Sequence, residues 1–215
     1  RLFAAIPRRR TSRFPFDDRV VTLAVVEDLR RAVVAEGAWV RQVEDEAKES
    51  LADLVAEGDR RLLGDARFRH ELARWVHPNQ SSHRDGVPGY AQGVGDVASL
   101  FGPFVLRNFD LGRVQSARDH ELALAAPLLL VLGSNADEPS DWLTTGQALA
   151  RLLLTAHDEE LQASFLNQPV ELEDLRERLR ALLGRPGVPQ LVLRLGYGRD
   201  PRATPRRPVS EVLES

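Results

Sequence analysis

A chain of 215 residues, 43% of them hydrophobic and 28% charged, can bury a core of its own without covalent staples, as one domain or a compact pair. It has no cysteine, which excludes a disulfide framework, thiolate metal sites and cysteine nucleophiles, and fits a reducing, cytoplasmic compartment. A formal charge of -3 argues against a nucleic-acid partner, whose affinity rests on many basic residues neutralising phosphates, and no apolar run approaches the roughly 18 residues that a membrane span needs.

Along the chain, Arg8 to Arg13 form a basic cluster broken by Thr11 and Ser12 and followed by Phe14, Pro15 and Phe16. It reads as a loop or a helix end. From Leu23 to about Trp75 apolar residues recur at helical spacing (Leu29, Val33, Val40, Leu51, Leu54, Val55), which predicts two or three amphipathic helices punctuated near Gly37, Gly58 and Gly64, with Asp65 as an N-cap. Between His77 and Val114 glycines and prolines crowd around Phe101, Phe104 and Phe109. This stretch reads as a long irregular segment, expected to be an ordered lid.

Regular pattern returns at Leu122, and the Leu128–Leu132 run suits a strand buried on both faces. Ser140 or Asp141 is placed to cap a helix from Trp142 to about His157, the central helix of the chain. Glu171 to Leu183 reads as an amphipathic helix stopped by Gly184 and Pro186, whose arginines, with Arg151, read as a solvated face. Gln190 to Leu195 alternates as a strand, Gly196 to Thr204 turns, and Arg206 to Glu214 forms an extended tail.

Two clusters suit phosphate chemistry. Arg9, Arg10 and Arg13 flank Thr11 and Ser12, and guanidinium forks with a hydroxyl donor suit a phosphate monoester. Arg206 and Arg207 lie between Pro205 and Pro208, which stiffen the backbone. For each cluster alone the alternative is a solvated basic loop or tail. The five histidines lack metal-ligand spacing, and no Gly-x-Ser-x-Gly elbow marks a hydrolase. Gly196-Tyr197-Gly198 lacks the third glycine of a dinucleotide fingerprint and reads as a turn.

In order, Arg9-Arg10-Thr11-x-Arg13, the Asp141-Trp142-Leu143 helix opening, the Gln168-Pro169-Val170-Glu171 loop, the Pro189-to-Gly196 strand and Pro205-Arg206-Arg207-Pro208 resemble the nitroreductase family along the whole chain. More narrowly, Arg9 to Phe16, Asp141 to Ala148 and Pro189 to Gly196 look like the Acg-type nitroreductases, in which two nitroreductase-like halves are fused. The resemblance implies an α+β fold, a mainly antiparallel sheet sandwiched by helices, with the central helix buried where two units meet. It implies FMN held by Arg9, Arg10, Thr11 and Arg13 and by Arg206 or Arg207. Gln168, Pro169 and Glu171 would lie in the loop that faces the flavin, where Leu172 stands in place of the family's glycine. Trp142 is a candidate to border the ring.

The implied activity is that of an FMN-dependent NAD(P)H oxidoreductase passing hydride to a nitroaromatic, quinone or similar small-molecule acceptor, with no catalytic side chain assigned and no metal. A flavin-binding or flavin-sequestering protein with little turnover is the alternative, and a regulatory domain that has lost its flavin is a third. The family's upstream Asn-x-Gln-Pro-Trp motif does not occur, and the chain opens at Arg1 without a methionine anywhere. It is therefore expected to be a single nitroreductase-like domain, the C-terminal part of a longer protein, acting as a homodimer or as a pseudo-dimer with a fused upstream half.

Overall fold

The Leu128–Leu132 run forms a central strand, as its composition predicts. The computed structural model describes residues 1–213, with Glu214, the end of the expected tail, outside them. In chain order come α1 (Leu2–Ala5), α2 (Leu23–Val34), β1 (Trp39–Gln42), α3 (Asp45–Gly64), α4 (Ala66–Trp75), β2 (Val76–His77), β3 (Val87–Pro88) and a 3-10 turn (Gly89–Gln92). After these follow α5 (Asp96–Asn108), α6 (Gly112–Leu124), β4 (Leu128–Ser134), α7 (Pro139–Asp158), β5 (Gln162–Phe165), α8 (Gln168–Glu171), α9 (Glu173–Leu183), β6 (Val188–Gly196) and a last 3-10 turn (Val209–Glu211). The main sheet has the order β1-β4-β6-β5, and every neighbouring pair is antiparallel. The fold is α+β.

Strand alternation divides the core in two, because successive side chains point to opposite faces. Leu128, Leu130 and Leu132 of β4 pack with Leu193 and Leu195 of β6 under Leu29 and Val33 of α2 and Leu152 and Ala156 of α7. Leu129 and Val131 pack with Val192 on the other face, beneath Leu51 and Val55 of α3 and Leu175 and Leu179 of α9. Each fully buried leucine contributes about 2 kcal/mol, so the apolar strands and the helix stripes that cover them define the fold between them.

Several expected boundaries move. The stretch read as helical from Leu23 to Trp75 contains the short edge strand β1, which Gly37, at φ +87, turns into the sheet. Gly58 lies inside α3 rather than ending it. Asp65 caps α4, accepting from Arg67 N at 2.8 Å. Helix α7 is capped by Glu138 in a reciprocal capping box with Asp141, one turn earlier than the sequence suggests, because Pro139 suits the first helical position. α7 buries Ala148, Leu152, Leu153 and Ala156 against its own sheet but leaves Trp142 54% and Leu143 74% exposed, so its burial is one-sided.

The segment from His77 to Val114 is also more regular than its glycines suggest. Asn79 organises it: its side-chain amide donates to Val94 O and Asp96 Oδ1, and its Oδ1 accepts from Tyr90 N. Ser99 Oγ closes the same knot by accepting from Asn79 N at 3.0 Å. With its start fixed, α5 runs through Gly102 and Pro103. Arg176 of α9, read as part of a solvated face, makes a bidentate pair with Asp137 at 2.8 and 3.1 Å. Gly184 ends α9 in the left-handed conformation, φ +58. No helix among the described residues is long and apolar enough to cross a membrane.

Candidate functional site

The N-terminal arginine cluster is tied to the free edge of the sheet. Thr11 makes a parallel bridge with Ala163 of β5, and Ser12 N donates to Ala163 O at 2.9 Å. Arg194 of β6, 1% exposed, anchors the same segment: Nη1 donates to Phe14 O at 3.0 Å, Nη2 to Ser12 O at 3.5 Å, and its guanidinium lies 4.4 Å from the Phe16 ring centroid. Burial pulls Arg194 down to about 10, with the Asp119 charge opposing and Arg118 assisting. A cation thus occupies a position that strand alternation assigns to the core.

The C-terminal segment returns to the same place. Arg199 lies 3.8 Å over Phe14, and Arg206 comes close enough to Arg9 that its charge, after burial, lowers the Arg9 pKa. Arg206 donates to Thr204 and Pro205, and Arg10 donates to Arg8 O. No carboxylate among the described residues pairs with Arg9, Arg13 or Arg206. Arg207 differs, since it is paired with Asp85 and holds that carboxyl below its usual range. Arg84 with Glu211 at 2.7 Å, Tyr90 Oη to Ala203 O at 2.9 Å and Arg202 4.3 Å over Tyr90 strap the tail to the 84–90 loop.

Beside these arginines, on the α3 face of the sheet, lies a cavity of about 620 Å³. Its walls are largely aliphatic, with Leu62, Leu72, Val76, Leu106 and Leu122 drawn from α3 to α6. α4, the Gly89–Gln92 turn and α5 form an arm along it. The charged residues of the lining are Arg13, Asp59, Arg118, Asp119, Glu171 and Arg194, with Gln168 among the polar residues beside them. Of the residues expected from sequence, Arg13, Gln168 and Glu171 line the cavity. Arg9, Arg10, Thr11 and Arg206 lie outside its lining, as do Arg207 and the buried Pro169. Trp142 is also outside it, donating through Nε1 to Asp137 at 2.7 Å.

The loop around Gln168 is seated by close packing. A Cβ on Gly58 would stand 2.6 Å from Gln168 Cβ, so the glycine lets α8 rest on α3. Gln168 Nε2 donates to Asp59 Oδ1 at 2.9 Å and to Asp119 Oδ2 at 3.0 Å. Asp59 Oδ2 and Gln168 Oε1 are sealed from solvent without a hydrogen-bond partner. Burial and then the Asp119 charge push Asp59 up to about 7, against the Gln168 hydrogen bond; desolvation also raises Glu171. Leu172, in place of the family's glycine, has φ -118 and ψ 120, an extended conformation that any residue adopts.

Asp59, Arg118, Asp119 and Arg194 were not among the sequence candidates, although three carried a signal. Asp59 falls four residues after Val55 and four before Leu63, on the buried stripe of its helix, and Asp119 falls three before Leu122. Arg194 sits in step with Val192 in β6. A charge on an inward position is seldom buried without a partner, so each pointed to a polar site.

No family model matches the chain. An uncharacterized protein of Mycobacterium tuberculosis (strain H37Rv) is 31% identical over 216 residues, covering 98% of this chain and 61% of that protein. A protein of the same strain named "Putative NAD(P)H nitroreductase acg" is 30% identical, covering 97% of this chain and 63% of its own length. The chain thus spans about three fifths of the length of these curated relatives. Among solved structures, the FMN and NADPH-dependent nitroreductase NfnB from Sphigopyxis sp. strain HMH matches with a TM-score of 0.63 at 19% identity, covering 100% of this chain and 98% of that one. A nitroreductase-like family protein from Bacillus cereus matches with a TM-score of 0.58 at 17% identity, covering 100% and 95%. The chain is thus similar along nearly its whole length to proteins named as putative nitroreductases, and it has the fold of solved nitroreductases.

Proposed function

We propose that the chain binds FMN and serves as an NAD(P)H oxidoreductase of the nitroreductase type. The observation that carries this reading is the approach of Arg206 to Arg9 from the far end of the chain, with no carboxylate to neutralise either among the described residues. Two guanidiniums held together repel unless an anion joins them, and their forks suit phosphate oxygens. Arg9 and Arg206 would hold the phosphate, with Arg10 and Thr11 beside them and Arg13 leading into the cavity. Arg207 stays with Asp85 and secures the tail. The cavity, at about 620 Å³, lies within the roughly 300–1,000 Å³ of cofactor pockets, and the Gln168–Glu171 turn is the part of its wall that would face the ring.

FMN, when bound, supplies hydride transfer between a reduced nicotinamide and a small-molecule acceptor such as a nitroaromatic or a quinone. The side chains of this protein bind and orient it, and the α4–α5 arm acts as a lid that excludes water. The exposed Trp142 and Leu143 flank of α7 would meet a second nitroreductase-like unit, in a homodimer or in a fused half. A flavin-sequestering role with little turnover is the second reading, favoured by the same arm lying along the cavity where a nicotinamide must enter.

The isolated protein is expected to show flavin absorbance, and anaerobic NADPH is expected to bleach it; colour that survives excess NADPH favours sequestration. Arg9→Ala combined with Arg206→Ala removes charge-assisted bonds together worth about 3 kcal/mol, roughly 100-fold in affinity. Stoichiometric FMN in the double variant would overturn the phosphate seat.

A further inference from the structure

Asp59 and Asp119 reach the cavity wall from different helices, and Gln168 stands across both. With one amide nitrogen donating to each carboxylate, at 2.9 and 3.0 Å, the glutamine is held by the pair. Asp59 Oδ2 remains: it is sealed from solvent, has no donor, and belongs to a residue 4% exposed. Two adjoining carboxylates cannot both stay ionised in such a place without a large penalty. A single proton between them removes the repulsion and gives Asp59 Oδ2 its missing hydrogen bond.

We propose that Asp59 and Asp119 share one proton and that the protonated pair latches the Gln168–Glu171 turn onto α3 and α6, so that the turn is held at acid pH and loosens as the proton is lost. Both are positioning residues. The groups that face them favour the proton on Asp59. Arg194 from β6 interacts favourably with Asp119, while Glu171 from α8 disfavours a charge on Asp59. Arg118 from α6 and Arg13 from the N-terminal segment line the same cavity. His120 of α6 lies 3.2 Å from Asp53 of α3, and Glu57 of α3 is taken up by Arg61 and Arg178.

The sign of the pH dependence follows from linkage. A carboxyl with a raised folded-state pKa contributes stability that is complete below its unfolded value, near 4, and is lost as pH rises through the folded value, here about 7. The latch does not rest on the FMN reading, because protein stripped of flavin carries it too.

The test is the unfolding temperature of the flavin-free protein, which is expected to fall by about 5 °C between roughly pH 5 and pH 8. In Asp59→Asn the side-chain oxygen still accepts from Gln168 and the new amide donates to Asp119. That variant should therefore lose the pH slope and keep its fold. Parallel slopes in the two proteins would overturn the latch. Should Asp59→Asn fail to fold, infrared spectra in a Glu171→Gln background decide. A protonated-carboxyl stretch that persists at about pH 6, well above the ordinary carboxyl range, and vanishes in base supports the shared proton, and its absence at about pH 6 overturns it. If the latch passes and the protein takes up no FMN at any pH, the FMN reading fails by itself.

Discussion

The two faces of the sheet use the same strands to different ends. On the α2–α7 face, Leu128, Leu130 and Leu132 pack into a continuous apolar cluster with α2 and α7. On the α3–α9 face the same pattern begins with Leu129, Val131 and Val192, then gives way to Arg194, Asp59, Asp119 and Gln168 around a cavity. Buried polar groups weaken a core unless every one is satisfied. The second face therefore gives up cohesion around the candidate site, and the first is the more cohesive of the two.

Substitutions can separate the two roles. Leu152→Ala, in α7 on the α2–α7 face, should cost about 2–5 kcal/mol in denaturant unfolding while leaving FMN affinity unchanged; a matching loss of affinity would show that the faces are coupled. Gly58→Ala forces a Cβ against Gln168 and should cost about 1–3 kcal/mol by overpacking. Its larger effect should be on FMN retention, because the turn is pushed from its seat. Equal retention in the variant and the parent would separate the turn from the cofactor. Arg207→Ala breaks an exposed pair with Asp85, worth about 0–1 kcal/mol, and should leave FMN bound. Loss of FMN in that variant would return Arg207 to the phosphate seat.

How legible each part was in the sequence depends on how local its cause is. β4, α7, α9 and β6 could be read because their apolar periods are strong and their ends carry Pro139 or Gly184. β1 and β5 could not. Each has four residues and lies at an edge of the sheet, and Gln162-Ala163-Ser164-Phe165 contains no β-branched side chain. α5 was hidden by Gly102 and Pro103, since the Asn79 bonds that fix its start come from a residue well outside the helix. In the candidate site, the basic clusters stood out by composition, but only the folded chain pairs Arg207 with Asp85 and leaves Arg206 beside Arg9. Asp59 and Asp119 resemble solvated helix positions until the burial stripe of each helix is traced.

Arg194 reaches Phe14 across a separation of 180 residues, which bears on the order of assembly. Contacts between segments so far apart close a large loop and incur its entropy before they return any enthalpy. The N-terminal arginine segment therefore cannot dock until β6 has been made and paired. During synthesis the α2–α7 face can begin to gather from α2, β4 and α7, while the meeting of the arginine segment with the tail waits for the last strand. The part of the molecule that would hold the ligand is the last to take shape.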